Sequence, residues 1–494
     1  MRQTLPNAIV DFLSFSGKTS GCLNELRGFR RREWEHALTW LHDAGLILYL
    51  LQKLKDTNAT DILPRSTLSR LEENLTANRR RVAYMARQFD FLNQKFNGAG
   101  VRYAAVKGLS LVPQFCPDAS LRHQSDFDYL VDNQSLPVAR RVLEDAGYSL
   151  KKSSANEFVF LMASAWMPPL ADEQYEAHAP HAVELRLAFW DSDSHGVSLT
   201  EPEFSVDNIR THRWQGLAFR TLPEEDVFLL QVIHAFNHIL SGWVRMSWLY
   251  EIGYFLSQRA PDTLLWGRVE RRIGGDPLLR EMVVVVTELS AHFYGAPLPS
   301  PSRIWAEELR PAVRIWIQNY ARTWVFGKNR VDQFSLFSVA KVILFLHRQY
   351  LSDARARRHL MRIRLLPWEQ LFRRARSITT KSSTNSGERG RQLERVLIRL
   401  LFHVTAGLRY LWEIPRWRRL NKVTAHLAPQ PGVIGQRPIS SALTIQNRAF
   451  SCEQHDAASE EPRWRSDELP GDSTRLEFSR KNWHESEGTS REEC

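Results

Sequence analysis

The chain has 494 residues, 43% of them hydrophobic and 16 of them tryptophan, enough to bury a large core and to suggest two or three domains. Its four cysteines (Cys22, Cys116, Cys452, Cys494) are far apart and give no zinc site or disulfide framework, which points to a reducing cytoplasm. No apolar run reaches eighteen residues, so no spanning helix is expected.

The first residues, Met1 to Asp11, lack an apolar stretch of signal-peptide length. Residues 34–55, with Trp34, Leu38, Leu41, Leu46 and Leu50, predict a buried helix. A second helix is more regular: Leu68, Leu71, Leu75, Asn78, Val82, Met85, Phe89, Leu92 and Phe96 alternate steps of three and four, one apolar seam with a single polar break. That seam suits packing on a neighbouring helix better than a coiled-coil dimer. Asn97-Gly98-Ala99-Gly100 stops it, and residues 101–106 begin a sheet. Further strands are expected at 126–131, 148–151, 158–162 and around Glu184, with a helix at 135–146 and a Pro- and Ala-rich loop at 163–180. From Pro223 to about residue 350 the pattern is helical.

Beyond Pro367 the character changes. Residues 377–391 read as a polar linker and 392–417 as a basic amphipathic helix. From 423 to 494 periodicity vanishes, which predicts a disordered tail. The net charge of +11 belongs to one segment: residues 341–422 hold 20 Lys and Arg against 5 Asp and Glu, leaving the rest of the chain at −4. Leu, Ile, Val and Trp interleave with those arginines. Trp412 and Trp417 flank Arg416, Arg418 and Arg419, an arrangement suited to an anionic membrane surface, with nucleic acid as the competing partner and simple packing as the plain alternative.

The chemistry concentrates at Arg122-His-Gln-Ser-Asp126-Phe-Asp128-Tyr-Leu-Val131, preceded by Lys107-Gly108-Leu-Ser110. On a strand, Asp126 and Asp128 project to one side, where a carboxylate pair can share a divalent ion beside phosphates. The Lys107-Gly108 turn lets backbone approach a triphosphate closely, and Arg122 is a candidate phosphate contact. The plainer reading of Arg122 is an ion pair with Asp126 or Asp118. His234 and His238, one helical turn apart, have metal-ligand spacing without an obvious third ligand.

This order of strand, Lys-Gly turn, Arg and Asp-apolar-Asp-apolar-Leu-Val resembles the DNA polymerase β-like nucleotidyltransferase superfamily. Within it, the closest resemblance is to the bacterial uncharacterised nucleotidyltransferase family. The likeness covers roughly residues 30–260. It makes Glu184, in Val183-Glu184-Leu185-Arg186, the third metal carboxylate, with Arg186 where the family usually has histidine. It also aligns His234, His238, Arg245 and Glu251 with a family segment of two helices, Glu251 standing in place of the usual Asp.

The fold this implies is α+β (mixed α/β): a small mixed-sheet nucleotidyltransferase core embedded in a mainly helical protein, with a disordered C-terminal tail. The expected division is a helical region 1–97, a core 98–215, a helical domain 216–370, a linker and basic helix 371–422, and the tail. The implied activity is Mg²⁺- or Mn²⁺-dependent transfer of a nucleoside monophosphate from an NTP to an unidentified hydroxyl acceptor. Asp126, Asp128 and Glu184 hold the metal in that reading, while Lys107, Gly108, Ser110 and Arg122 hold the nucleotide. The alternatives are a catalytically weak nucleotidyltransferase-like binding module, or a protein anchored through its basic region. The expected location is cytoplasmic, with peripheral membrane contact in the last case.

Overall fold

The computed structural model describes residues 3–162, 175, 181–365 and 386–427, apart from 18, 191, 200–203, 205, 327–339 and 352. Seven strands form one mixed sheet: β1 (Tyr103–Ala105), β2 (Asp126–Val131), β3 (Tyr148–Ser153), β4 (Glu157–Met162), β5 (Ala182–Arg186), β6 (Arg210–Trp214) and β7 (Leu217–Thr221). Their order is β3-β4-β5-β2-β1-β7-β6. The central β2 runs antiparallel to β1, pairing Leu130 with Ala104, and parallel to β5, pairing Asp128 with Glu184. With helices dominating the rest of the chain, the class is α+β.

Helices α1 (Leu5–Phe12), α2 (Thr19–Arg27), α3 (Arg31–Ala44), α4 (Ile47–Asp56) and α5 (Arg65–Gly98) precede the sheet, and α6 (Leu136–Asp145) joins β2 to β3. After the four-residue α7 (Ser192–His195) and the β6–β7 hairpin come α8 (Glu224–Ser241), α9 (Met246–Arg259), α10 (Thr263–Ile273) and α11 (Pro277–Tyr294). Next are α12 (Ser300–Glu307), α13 (Pro311–Asn319), α14 (Ala321–Phe326), α15 (Ile343–His347), α16 (Ala354–Leu365) and α17 (Ser386–Leu427).

The seam of α5 is buried in this chain's own core. Phe89 meets Phe127 at 5.4 Å and Tyr129 at 5.9 Å between ring centroids, and Phe96 meets Tyr129 at 5.2 Å. The odd-numbered side chains of β2 thus face α5, leaving Asp126 and Asp128 on the other side of the strand. The polar break in the seam has a purpose. Asn78 Nδ2 donates to the Ser120 carbonyl at 2.7 Å and to that of Arg122 at 3.1 Å, and Arg81 Nε donates to the Gln124 carbonyl at 2.9 Å. Two polar residues of α5 therefore clamp the segment that leads into Asp126.

Several expectations change. The helix foreseen over 34–55 is two helices, because Gly45 takes a left-handed φ of 70° and ends α3. The sheet continues past residue 215: Gln215 and Gly216, at φ 45° and 83°, turn β6 into β7, and Thr221 pairs with Ala105 of β1. The linker expected over 377–391 is helical from Ser386, and α17 runs through Pro415 to Leu427 rather than stopping at Trp417. Packing explains the persistence, since Trp417 stacks on Phe345 at 4.7 Å and Tyr410 does so at 4.6 Å. Trp417 is therefore an inward anchor, while Trp412 stays 77% exposed. The loop expected at 163–180 lies outside the described residues except for Tyr175, and so does the tail from 428 onward.

Candidate active site

The parallel register of β2 and β5 sets Glu184 directly beside Asp128, and Asp126 lies two residues back on the same face. One oxygen from each of the three carboxylates lies within 4.8 Å of the others. The structure thus gathers Asp126, Asp128 and Glu184 as the sequence reading expected.

Two cations sit among them. Lys107 Nζ lies 2.7 Å from Asp128 Oδ1, on which Arg186 Nε also bears at 3.4 Å. Arg186 further contacts Glu184 at 2.5 Å and Glu157 at 2.7 Å. Glu157 was not legible as part of this group, because only the antiparallel pairing of β4 with β5 brings it opposite Arg186. Standing where the family usually has histidine, Arg186 pairs with Glu184 and serves Asp128 as well.

These neighbours sort the carboxyls electrostatically. Burial, and next the charge of Asp128, raises Asp126 above the usual carboxylate range. Burial would raise Asp128 too, but Lys107 and then Arg186 outweigh it and hold Asp128 low. Glu184 is pushed up to about 7 by burial and by Asp128.

The Lys107-Gly108 turn is shaped for close approach. Gly108 has φ 65°, and a Cβ there would stand 2.2 Å from Gln124 Nε2, so the position admits only glycine without displacing Gln124. That amide also donates to the Asp126 carbonyl at 3.3 Å, tying the turn to the strand. Ser110 is buried. Its amide and hydroxyl both donate to the Lys107 carbonyl, at 3.4 Å and 3.2 Å, so both donors serve the turn itself.

Arg122 pairs with neither Asp126 nor Asp118. Its Nε donates to Glu251 of α9 at 3.1 Å, and the Tyr49 hydroxyl of α4 donates to the same oxygen at 3.0 Å. Burial would lower Arg122, but Glu251, then Tyr49 and Cys116, dominate and keep it firmly charged. Glu251 in place of Asp thus has a structural use, since it fastens α9 to the site. Among the described residues no third ligand joins His234 and His238 in a metal-binding group. Their rings instead pack together at 4.6 Å.

The donor set suits a hard divalent cation. All three ligands are carboxylates at close quarters, and they outnumber the two cations that contact them, leaving excess negative charge for an ion to neutralise. Such a cluster beside a lysine-glycine turn can bind metal and phosphate together.

A family model described as uncharacterised nucleotidyltransferase matches residues 30–295, just over half of the chain. No curated protein and no solved structure matches it.

Proposed function

This chain belongs to the uncharacterised nucleotidyltransferase family, and from that premise we propose that it moves a nucleoside monophosphate from an NTP to a hydroxyl acceptor. The observation that carries the reading is the convergence of Asp126, Asp128 and Glu184 beside Lys107. These three carboxylates would hold Mg²⁺ or Mn²⁺, which supplies charge neutralisation at phosphate oxygens and lowers the pKa of the acceptor hydroxyl. Lys107 would exchange Asp128 for a phosphate oxygen, and the backbone at Gly108 would lie against the triphosphate. Arg122, fixed by Glu251, would add positive charge at the rim. The acceptor oxygen forms a bond to the α-phosphorus while the bond from that phosphorus to the bridging oxygen breaks. The electron pair of that bond leaves with pyrophosphate, and the acceptor proton passes to solvent or, in the alternative role of Glu184, to a Glu184 oxygen that the metal does not engage.

A second reading has its own observation. Arg186 already engages Asp128, Glu184 and Glu157, which favours a site that binds nucleotide without turnover. Incubation with each NTP and Mg²⁺ or Mn²⁺, following pyrophosphate release and label on any acceptor or on the protein, separates the two. Metal-dependent binding with no pyrophosphate under any condition would sink the transfer reading.

For the basic region we propose an anionic membrane surface as partner. Along α17, Leu397, Leu401, Val404, Leu408 and Leu411 recur at steps of four and three on the outward side, Leu397 and Leu408 being 63% and 62% exposed. Residues 386–427 carry nine Lys and Arg against three Asp and Glu, a charge complementary to anionic lipid and repulsive toward a second copy. No helix among the described residues is long and apolar enough to cross a membrane. The protein should co-sediment with anionic but not neutral vesicles, more weakly at high salt. Binding to RNA alone, or to neither, overturns this.

A further inference from the structure

Beside the Lys107 turn stands a group of rings that the transfer chemistry leaves unused. α8 reaches the end of β1 through Gln231, whose amide donates to the Val106 carbonyl at 3.4 Å, one residue before Lys107. His234 follows three residues later and His238 four beyond that, so the face of α8 that meets the Lys107 turn carries both imidazoles. α9 approaches from the other side. Its Glu251 holds Arg122, and Trp248, one turn earlier, shares that face. Between the helices Gly242, at φ 93°, ends α8 one residue before Trp243.

The rings form one continuous group. Trp248 lies 4.5 Å from His234 and 4.7 Å from His238 between centroids, while Trp243 lies 4.2 Å from His238 and 5.2 Å from Trp248. Trp243 remains 47% exposed. His234 is held well below its usual pKa, first by burial and next by the positive charge of Lys107, with His238, Arg186 and Arg122 adding to it. This imidazole is therefore neutral, and the charges of Lys107, Arg186 and Arg122 reach it.

We propose that the exposed indole of Trp243, braced edge-on by His238 and tilted at 53° to Trp248, is the platform on which the nucleobase of the bound NTP stacks. This rests on the nucleotidyltransferase reading and adds to it the place of the base. An isolated exposed indole would need no explanation. This one continues, ring by ring, into the face of α8 that touches the phosphate-binding turn. Stacking on π-faces tolerates every base and favours the larger purines, so the platform implies weak discrimination, ordered by ring size.

The test compares two probes on the full chain in Mn²⁺: non-hydrolysable ATP and CTP analogues, and inorganic tripolyphosphate, titrated calorimetrically. Trp243→Ala should weaken the ATP analogue roughly tenfold and the CTP analogue less, as expected for loss of one stacking partner. Tripolyphosphate affinity should stay unchanged, and Trp243→Phe should restore most of the loss. Equal affinities for the analogues in wild type and Trp243→Ala overturn the platform, as does an equal loss for tripolyphosphate. A wild-type protein that binds tripolyphosphate as tightly as the analogues also overturns it, yet leaves the transfer reading intact. A wild-type protein that binds none of the probes overturns both.

Discussion

Asn78→Leu sets helix periodicity against tertiary structure, because the two give opposite signs. By periodicity the change completes the apolar seam of α5 and replaces a poor helix former with a good one, a gain of about 0.5 kcal/mol. It also removes the buried Asn78 Oδ1, which lacks a partner, a relief of about 1 kcal/mol. Against this stand the two hydrogen bonds from Nδ2 to the carbonyls of Ser120 and Arg122. Each bond is worth about 1 kcal/mol net, and a carbonyl stranded away from water costs about 1–3 kcal/mol. The balance is a destabilisation of about 1–3 kcal/mol. In a protein of this size that lowers the melting temperature by about 1–3 °C. The segment released leads directly into Asp126, so Mn²⁺ affinity, read by the ion's thermal-shift titration, should fall together with stability. A variant as stable as wild type, with unchanged Mn²⁺ response, would refute the claim that α5 positions the site.

Asp128→Asn leaves Lys107 and Arg186 short of their shared partner and should remove most of the Mn²⁺-dependent rise in melting temperature; an undiminished rise would show that the ion binds elsewhere. Glu251→Gln uncompensates buried Arg122, which should cost about 3–5 kcal/mol in urea unfolding, against less than about 1 kcal/mol if the pair were solvated. Lys341 is buried, with Nζ 2.9 Å from His403 Nδ1, and burial, then Arg364, lowers its pKa to about 7. The unfolded state binds the extra proton between that value and 10.5, so wild-type stability should gain on Lys341→Met as pH rises from 7 toward 10. Parallel pH profiles for the two proteins would contradict that burial.

The sequence alone determined what depends on local order. Alternation put Asp126 and Asp128 on one face of a strand, the three-four rhythm drew α5, and Gly108 after Lys107 marked a turn whose φ of 65° excludes side chains. Through its resemblance the sequence also carried Glu184, which lies 56 residues from Asp128 along the chain. What it could not yield were contacts set by pairing across the sheet and between helices. The partner of Arg122 is Glu251, 129 residues away, not either nearby aspartate. Glu157 joins the site only because β4 and β5 are in register at Arg186. Asn78 read as a flaw in a hydrophobic seam, because hydrogen bonds to a distant backbone leave no periodic trace. Helix α17 crosses Pro415, where local propensity predicts interruption. Stacking of Tyr410 and Trp417 on Phe345 decides the matter there, because burying two large rings outweighs one missing backbone donor.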